Sequence, residues 1–195
     1  MGIIGDSKSA VDINIVGDPG WAKKIFTDLN ADYNSTPGLY FAEDTPRNWA
    51  VGGWTSVNIA AAIDSFLTAH TLNSKNDYNI FLINLGTGDL FYGTSEADYK
   101  TAMLYIVDAV KVKYPNAICF ISKPWRRGYN TEATTMAGWV DDIVAARSTF
   151  CYVGDDENVW MKGADDGATM TFDGVHYSVA GDLAKEAAVR AVLGY

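Results

Sequence analysis

YNIFLINLG, Tyr78 to Gly86, is a nearly continuous apolar run closed by a glycine. A strand with one wet face alternates apolar and polar residues, so a run without alternation predicts a strand buried on both faces. Such strands belong to parallel sheets covered by helices, and the rest of the chain supplies both. AICFISKPW, stopped by Pro124, reads as a second buried strand, TFCYVGD as a short last one, and the opening isoleucines as the first. SEADYKTAMLYIVDAVKVKY begins with Ser95 and an acid and ends in lysines, as a helix dipole prefers. VNIAAAIDSFLTAHTL behind Thr55, TEATTMAGWVDDIVAARS, and SVAGDLAKEAAVRAVLG capped by Ser178 are further helices. PGWAKKIFTDLNADY is another, with Pro19 near its first turn, Trp21, Ile25, Phe26 and Leu29 on one side, and Lys23 and Lys24 outward. Asn34 to Asn48 reads as loop with at most one short strand. The alternation predicts an α/β protein: a three-layer α/β/α sandwich around a central, mostly parallel five-stranded sheet.

The 195 residues, 48% hydrophobic and 13% aromatic, suit a single domain spanning 1–195 with a real core. Four residues precede the first corner, fewer than the roughly five or six of a usual strand, which predicts a segment excised from a longer polypeptide. A formal charge of -9 repels phosphate backbones and anionic lipid, so nucleic acid is not an expected partner. No apolar run reaches the roughly 18 to 20 residues of a bilayer span, and the amino terminus lacks the basic-then-apolar profile of a secretion signal. Membrane insertion is not expected, and neither compartment nor oligomeric state is legible. Cys119 and Cys151 lie in apolar strands, where a buried free thiol is the commonest state and a disulfide the alternative.

Chemistry is easiest to look for at strand ends, where parallel sheets hold ligands. IIGDSKSAV, from Ile3, describes a strand-to-helix corner: apolar residues, a glycine for the turn, then small polar groups. It leaves Ser7 at a strand's carboxyl end. Only His70 and His176 are available as imidazole bases. His70, near a helix end, reads as structural. His176 follows Asp173 by three residues in TFDGVHYSVAG, a spacing that lets a carboxylate reach the ring and hold one tautomer. A serine nucleophile also needs oxyanion donors, and GGW at Gly52–Gly53 and LGTGDL at Gly86–Asp89 each follow a predicted strand.

These blocks, in this order, resemble the SGNH (GDSL-type) hydrolase superfamily, from residue 3 to about residue 180. The resemblance implies a flavodoxin-like SGNH fold with Ser7 as nucleophile and, through its N–H, as oxyanion donor. It implies Asp173 and His176 as orienting acid and base, and from NWAVGGWTS it points to Gly53 as a second oxyanion donor. The third block departs: family members read G-x-N-D, whereas this chain reads Gly86-Thr87-Gly88-Asp89. Thr87 or an asparagine from another loop substitutes, Gly88 makes room for a bulkier substrate, or the domain is slow or inactive. Such a mechanism requires no metal or organic cofactor.

Other residues read more blandly. Asp6 is expected to cap the following helix, Asp89 to tie its loop together, and Lys8 to be solvated. The acids at Asp155, Asp156 and Glu157 and at Asp165 and Asp166 lack the alternating spacing of a calcium loop and read as solvated faces. Trp139 reads as core. Trp54 and Trp125 are candidates to flank a cleft as substrate-binding residues, and Arg126 and Arg127 to meet a carboxylate. The expected function is a serine esterase removing short acyl groups, O-acetyl above all, from a small-molecule or glycan ester. The alternatives are a non-catalytic carbohydrate-binding module on a degenerate hydrolase fold, or a lipase, thioesterase or acyltransferase on the same fold.

Overall fold

A computed structural model describes residues 1–9, 20–22, 24–25, 47–69, 80–161 and 168–194. Five strands form one sheet: β1 (Gly2–Gly5), β2 (Arg47–Ala50), β3 (Ile80–Asn84), β4 (Ile118–Lys123) and β5 (Cys151–Asp156). Their order is β2-β1-β3-β4-β5, and every neighbouring pair is parallel. β1 is buried throughout, as is β3 beyond Ile80. Because successive side chains point to opposite faces, both faces of the sheet centre are covered.

The helices are α1 (Ser56–Ala69), α2 (Thr87–Tyr92), α3 (Glu96–Lys113), α4 (Asn130–Ala146), α5 (Glu157–Trp160) and α6 (Val179–Leu193). α1 packs on α3 and α3 on α4, while α6 packs on β5. The helical residues 20–22 and 24–25 meet α6 through the Trp21 N–H, which donates to Asp182 Oδ1 at 3.0 Å. The expected caps are present: Ser95 Oγ accepts from Asp98 N at 3.2 Å and Ser178 Oγ from Gly181 N at 3.2 Å. Trp139 is partly buried against the core, tilted over Tyr99. Two short helices, α2 and α5, were not expected; at six and four residues they are too short to show a period.

Cys119 and Cys151 are paired across β4 and β5 as buried free thiols, and the contact with Cys151, together with burial, pushes the Cys119 thiol up. The reading of Asn34 onwards is met only by β2, since 26–46 lie outside the described residues, as do His70, Asp165 and Asp166. Among the described residues no helix is long and apolar enough to cross a membrane.

The strand order matters for function. From β1 the chain passes to β2 on one side and then to β3 on the other, so the crevice outside the carboxyl ends of β1 and β3 is a topological switch point. Ser7 lies two residues past β1, and Thr87 three past β3.

Candidate active site

The corner after β1 is held by its own backbone and by β3. Asp6 N donates to Asn84 O at 3.2 Å, and Ser9 N to Asp6 O at 3.1 Å, closing a turn around Ser7 and Lys8. Asp6 is buried, and its carboxylate accepts Lys8 N at 3.1 Å and Thr87 N at 3.0 Å. The expected cap on the helix behind its own corner is not what the carboxylate makes here: its bond to Thr87 N caps α2, on the neighbouring strand's connection. Burial pushes the Asp6 carboxyl up, against the pull of Lys8 and these N–H groups. From outside the turn, the Trp21 indole donates to Lys8 O at 3.0 Å.

The opposite wall is the tight loop before α6. Phe172 N donates to His176 O at 3.2 Å and Ser178 N to Met170 O at 2.9 Å, pairing the loop's two arms. At its tip Asp173 Oδ1 accepts Val175 N at 2.8 Å and His176 N at 2.7 Å, so the carboxylate is set by its own turn. Its other oxygen lies 2.6 Å from His176 Nδ1, and His176 Nε2 lies 3.0 Å from Ser7 Oγ. Partial burial raises Asp173, but the His176 ring and the two N–H donors outweigh it and hold this carboxyl below its usual range. A hydroxyl, an imidazole and an ionised carboxylate thus stand in hydrogen-bond sequence, the geometry in which a serine proton can pass to a base. The exposed Phe172 ring stacks on the imidazole at 5.8 Å.

A comparison with solved structures shows which fold this is. The psychrotrophic esterase EstA from Pseudoalteromonas sp. matches with a TM-score of 0.72 at 17% identity, over 98% of this chain and 94% of that one. A carbohydrate esterase family 3 protein from Talaromyces cellulolyticus matches with a TM-score of 0.74 at 15% identity, over 99% and 96%. The lipase/acylhydrolase from Enterococcus faecalis gives 0.69 at 17% identity, over 100% and 96%. The fold is that of the SGNH hydrolases. No family model and no curated protein sequence matches the chain.

Within the SGNH fold, the described structure bears on each donor suggested for an oxyanion. Among the described residues the N–H of Ser7 and that of Gly53 have no protein acceptor. Gly53 has φ +77° and lies two residues past Val51, whose N–H donates to Gly5 O at 3.1 Å beside the corner that carries Ser7. Thr87 is different: its N–H is already given to Asp6.

Gly88 has a packing explanation, rather than the room for a bulkier substrate that was one of its three accounts. A Cβ at 88 would sit 2.5 Å from the Trp54 carbonyl oxygen, so the backbone between β2 and α1 fills the space where an SGNH asparagine side chain would start. Asp89 holds that backbone in place, accepting Ser56 N at 2.9 Å and Ser56 Oγ at 2.8 Å, as its expected tying role requires. Placing the asparagine of the G-x-N-D pattern here with Gly88→Asn is therefore expected to cost about 1–3 kcal/mol of stability through overpacking. That corresponds to a melting temperature lower by about 2–12 °C, with no gain in turnover. Thermal unfolding beside an ester assay checks this; a faster variant of undiminished stability would contradict it.

Three expectations are corrected. Trp125 is completely buried, its indole donating to Asn130 Oδ1 at 2.8 Å, so it has no face to offer a cleft. Lys8 is not solvated: its side chain is 0% exposed and its ammonium lies 2.6 Å from Glu157 Oε2. Asp155 and Glu157 are no solvated acidic face either. Asp155 meets Lys185 at 2.8 Å and Ser122 Oγ at 2.6 Å, and Glu157 meets Lys185 at 3.1 Å, all in the interior. Asp156 caps α5 through Asn158 N at 2.9 Å. The available signal was the cation itself, a lysine between two serines straight behind a buried strand.

Trp54 stays half-buried, stacked on Phe66 at 6.0 Å. Arg126 lies over the rings of Phe91 at 4.5 Å and Tyr129 at 5.4 Å, and the Arg127 N–H ties its loop to Gly174 O at 3.3 Å. Among the described residues no cluster of His, Cys, Asp or Glu is arranged to hold a metal.

Proposed function

We propose that this chain is a serine esterase that removes short acyl groups, chiefly acetyl, from a carbohydrate ester. The observation that carries the reading is the 3.0 Å approach of His176 Nε2 to Ser7 Oγ, with Asp173 2.6 Å behind the ring. Ser7 Oγ attacks the ester carbonyl while its proton passes to His176 Nε2. Asp173 holds the Nδ1–H tautomer and stabilises the imidazolium that forms. The Ser7 and Gly53 N–H groups face the oxyanion of the tetrahedral intermediate, which collapses as His176 returns the proton to the departing alcohol. Water, deprotonated by the same imidazole, then attacks the acyl-enzyme and releases the acid and free Ser7.

Carbohydrate as the alcohol rests on the half-open aromatic faces around this rim. Phe172, stacked on His176, and Trp54, next to Gly53, are suited to sugar rings, and the carbohydrate esterase from Talaromyces cellulolyticus shares the fold. A fluorophosphonate probe, which labels only an activated serine, is expected to modify Ser7. In a series of aryl esters the acetyl member is expected to turn over fastest. Absence of labelling alongside retained glycan binding would identify a binding module instead, and a preference for long acyl chains would identify a lipase or thioesterase.

A further inference from the structure

The nucleophile and the base are 169 positions apart, yet their chain neighbours end on one buried acid. Lys8, next to Ser7, places Nζ 2.6 Å from Glu157 Oε2, and both side chains are 0% exposed. Tyr177, next to His176, donates its buried hydroxyl to Glu157 Oε1. Lys8 Nζ also lies 5.2 Å from the centre of the Tyr177 ring, so the two segments meet on each other as well as on the acid. Glu157 is itself fixed from two further sides, by Trp125 N at 3.2 Å on Oε2 and by Lys185 Nζ at 3.1 Å on Oε1. The Lys8 ammonium donates in addition to the Trp125 carbonyl.

We infer that Glu157 is a positioning residue that sets the distance between Ser7 and His176 by clamping Lys8 and Tyr177. This rests on the serine esterase reading above. A buried ion pair is a poor source of stability, because desolvation offsets its attraction. It is effective against sliding, since any arrangement that parts the two segments strands a charge or a hydroxyl in the interior. Proton transfer tolerates little such sliding: a misplacement of about 1 Å costs on the order of 10²-fold in rate.

Three variants test this: Tyr177→Phe, Glu157→Gln, and the charge-balanced pair Lys8→Met with Glu157→Gln, which leaves Lys185 paired to Asp155. Exhaustive fluorophosphonate labelling counts competent sites, so that kcat is expressed per site. In each variant kcat per site is expected to fall about 10- to 100-fold while KM stays within about twofold. Tyr177→Phe, which keeps both lysine–glutamate contacts, is the variant least prone to misfold. The charge-balanced pair is expected to regain most of the melting temperature lost by Glu157→Gln without regaining kcat. Wild-type kcat per site in Tyr177→Phe and Glu157→Gln, or recovery of both quantities together in the double variant, overturns the positioning role and leaves the esterase reading intact. A wild-type protein that no probe labels at Ser7 overturns both.

Discussion

Ser7→Ala is expected to lower turnover of a short-chain aryl ester by about 10⁴- to 10⁶-fold, and His176→Ala by a similar factor. In the proposed mechanism the two act as one unit: without the hydroxyl no acyl-enzyme forms, and without the imidazole the hydroxyl keeps its proton. Combining them is therefore expected to cost little more than either alone. Asp173→Asn tests the third group separately. Asp173 also accepts the N–H groups of Val175 and His176, and an asparagine oxygen can still do so. Its amide then faces Nδ1 with the wrong partner and favours the wrong tautomer, with an expected loss on the order of 10⁴-fold in kcat. Circular dichroism should show the fold unchanged. Turnover of Ser7→Ala within tenfold of wild type would remove the mechanism.

Lys185→Met is expected to have the largest effect on stability. Its side chain is 0% exposed, and its ammonium meets both oxygens of Asp155, at 2.8 and 2.9 Å, and Glu157 Oε1 at 3.1 Å. Removing it leaves Asp155 and Glu157 buried with two charges and, among the described residues, Lys8 alone to balance them. Breaking a buried pair on one side costs about 3–5 kcal/mol, which lowers the melting temperature of a chain this size by about 6–20 °C.

The acid limb of stability carries a second signature of the same network. Burial pushes Glu157 up, but Lys8 and Lys185 outweigh it and hold this carboxyl at about 2. A carboxyl depressed in the fold contributes stability that is complete above its unfolded value of about 4.3 and is lost as pH falls toward the folded one. Lys185 has the opposite sign: despite burial, Asp155 and Glu157 raise it above the usual lysine range. Its contribution is present below the ordinary lysine value and lost only in strong alkali. Wild-type stability measured by denaturant is thus expected to fall between about pH 4.3 and 2. In Lys185→Met the fall should be shallower and end at a higher pH, because the folded Glu157 carboxyl, with the Lys185 cation gone, moves back toward its unfolded value. A fall of equal depth over the same range in the two proteins would show that Lys185 does not hold the Glu157 charge.

Much of this was legible in the chain. YNIFLINLG read as a doubly buried strand because β3 lies at the sheet's centre, where apolar composition is forced on both faces. The reach of Asp173 to His176 was legible because it is local, a three-residue spacing inside one turn. Ser95 and Ser178 were legible as caps for the same reason. Trp125 misled, since an aromatic residue just past a strand end reads the same whether its ring turns outward or inward. Gly88 misled as well, because the atom that forbids its side chain belongs to Trp54, on another connection.

Sequence alone determined the layered α/β architecture, the caps, and the contact of Asp173 with His176, because each depends on periodicity or on neighbours within a turn. Only the tertiary structure decided that Ser7 meets His176, that Lys8 is interior, and that Glu157 receives it across 149 positions. The physical reason is that a charge's environment is set by whichever segments fold around it, and those lie beyond the reach of any local pattern.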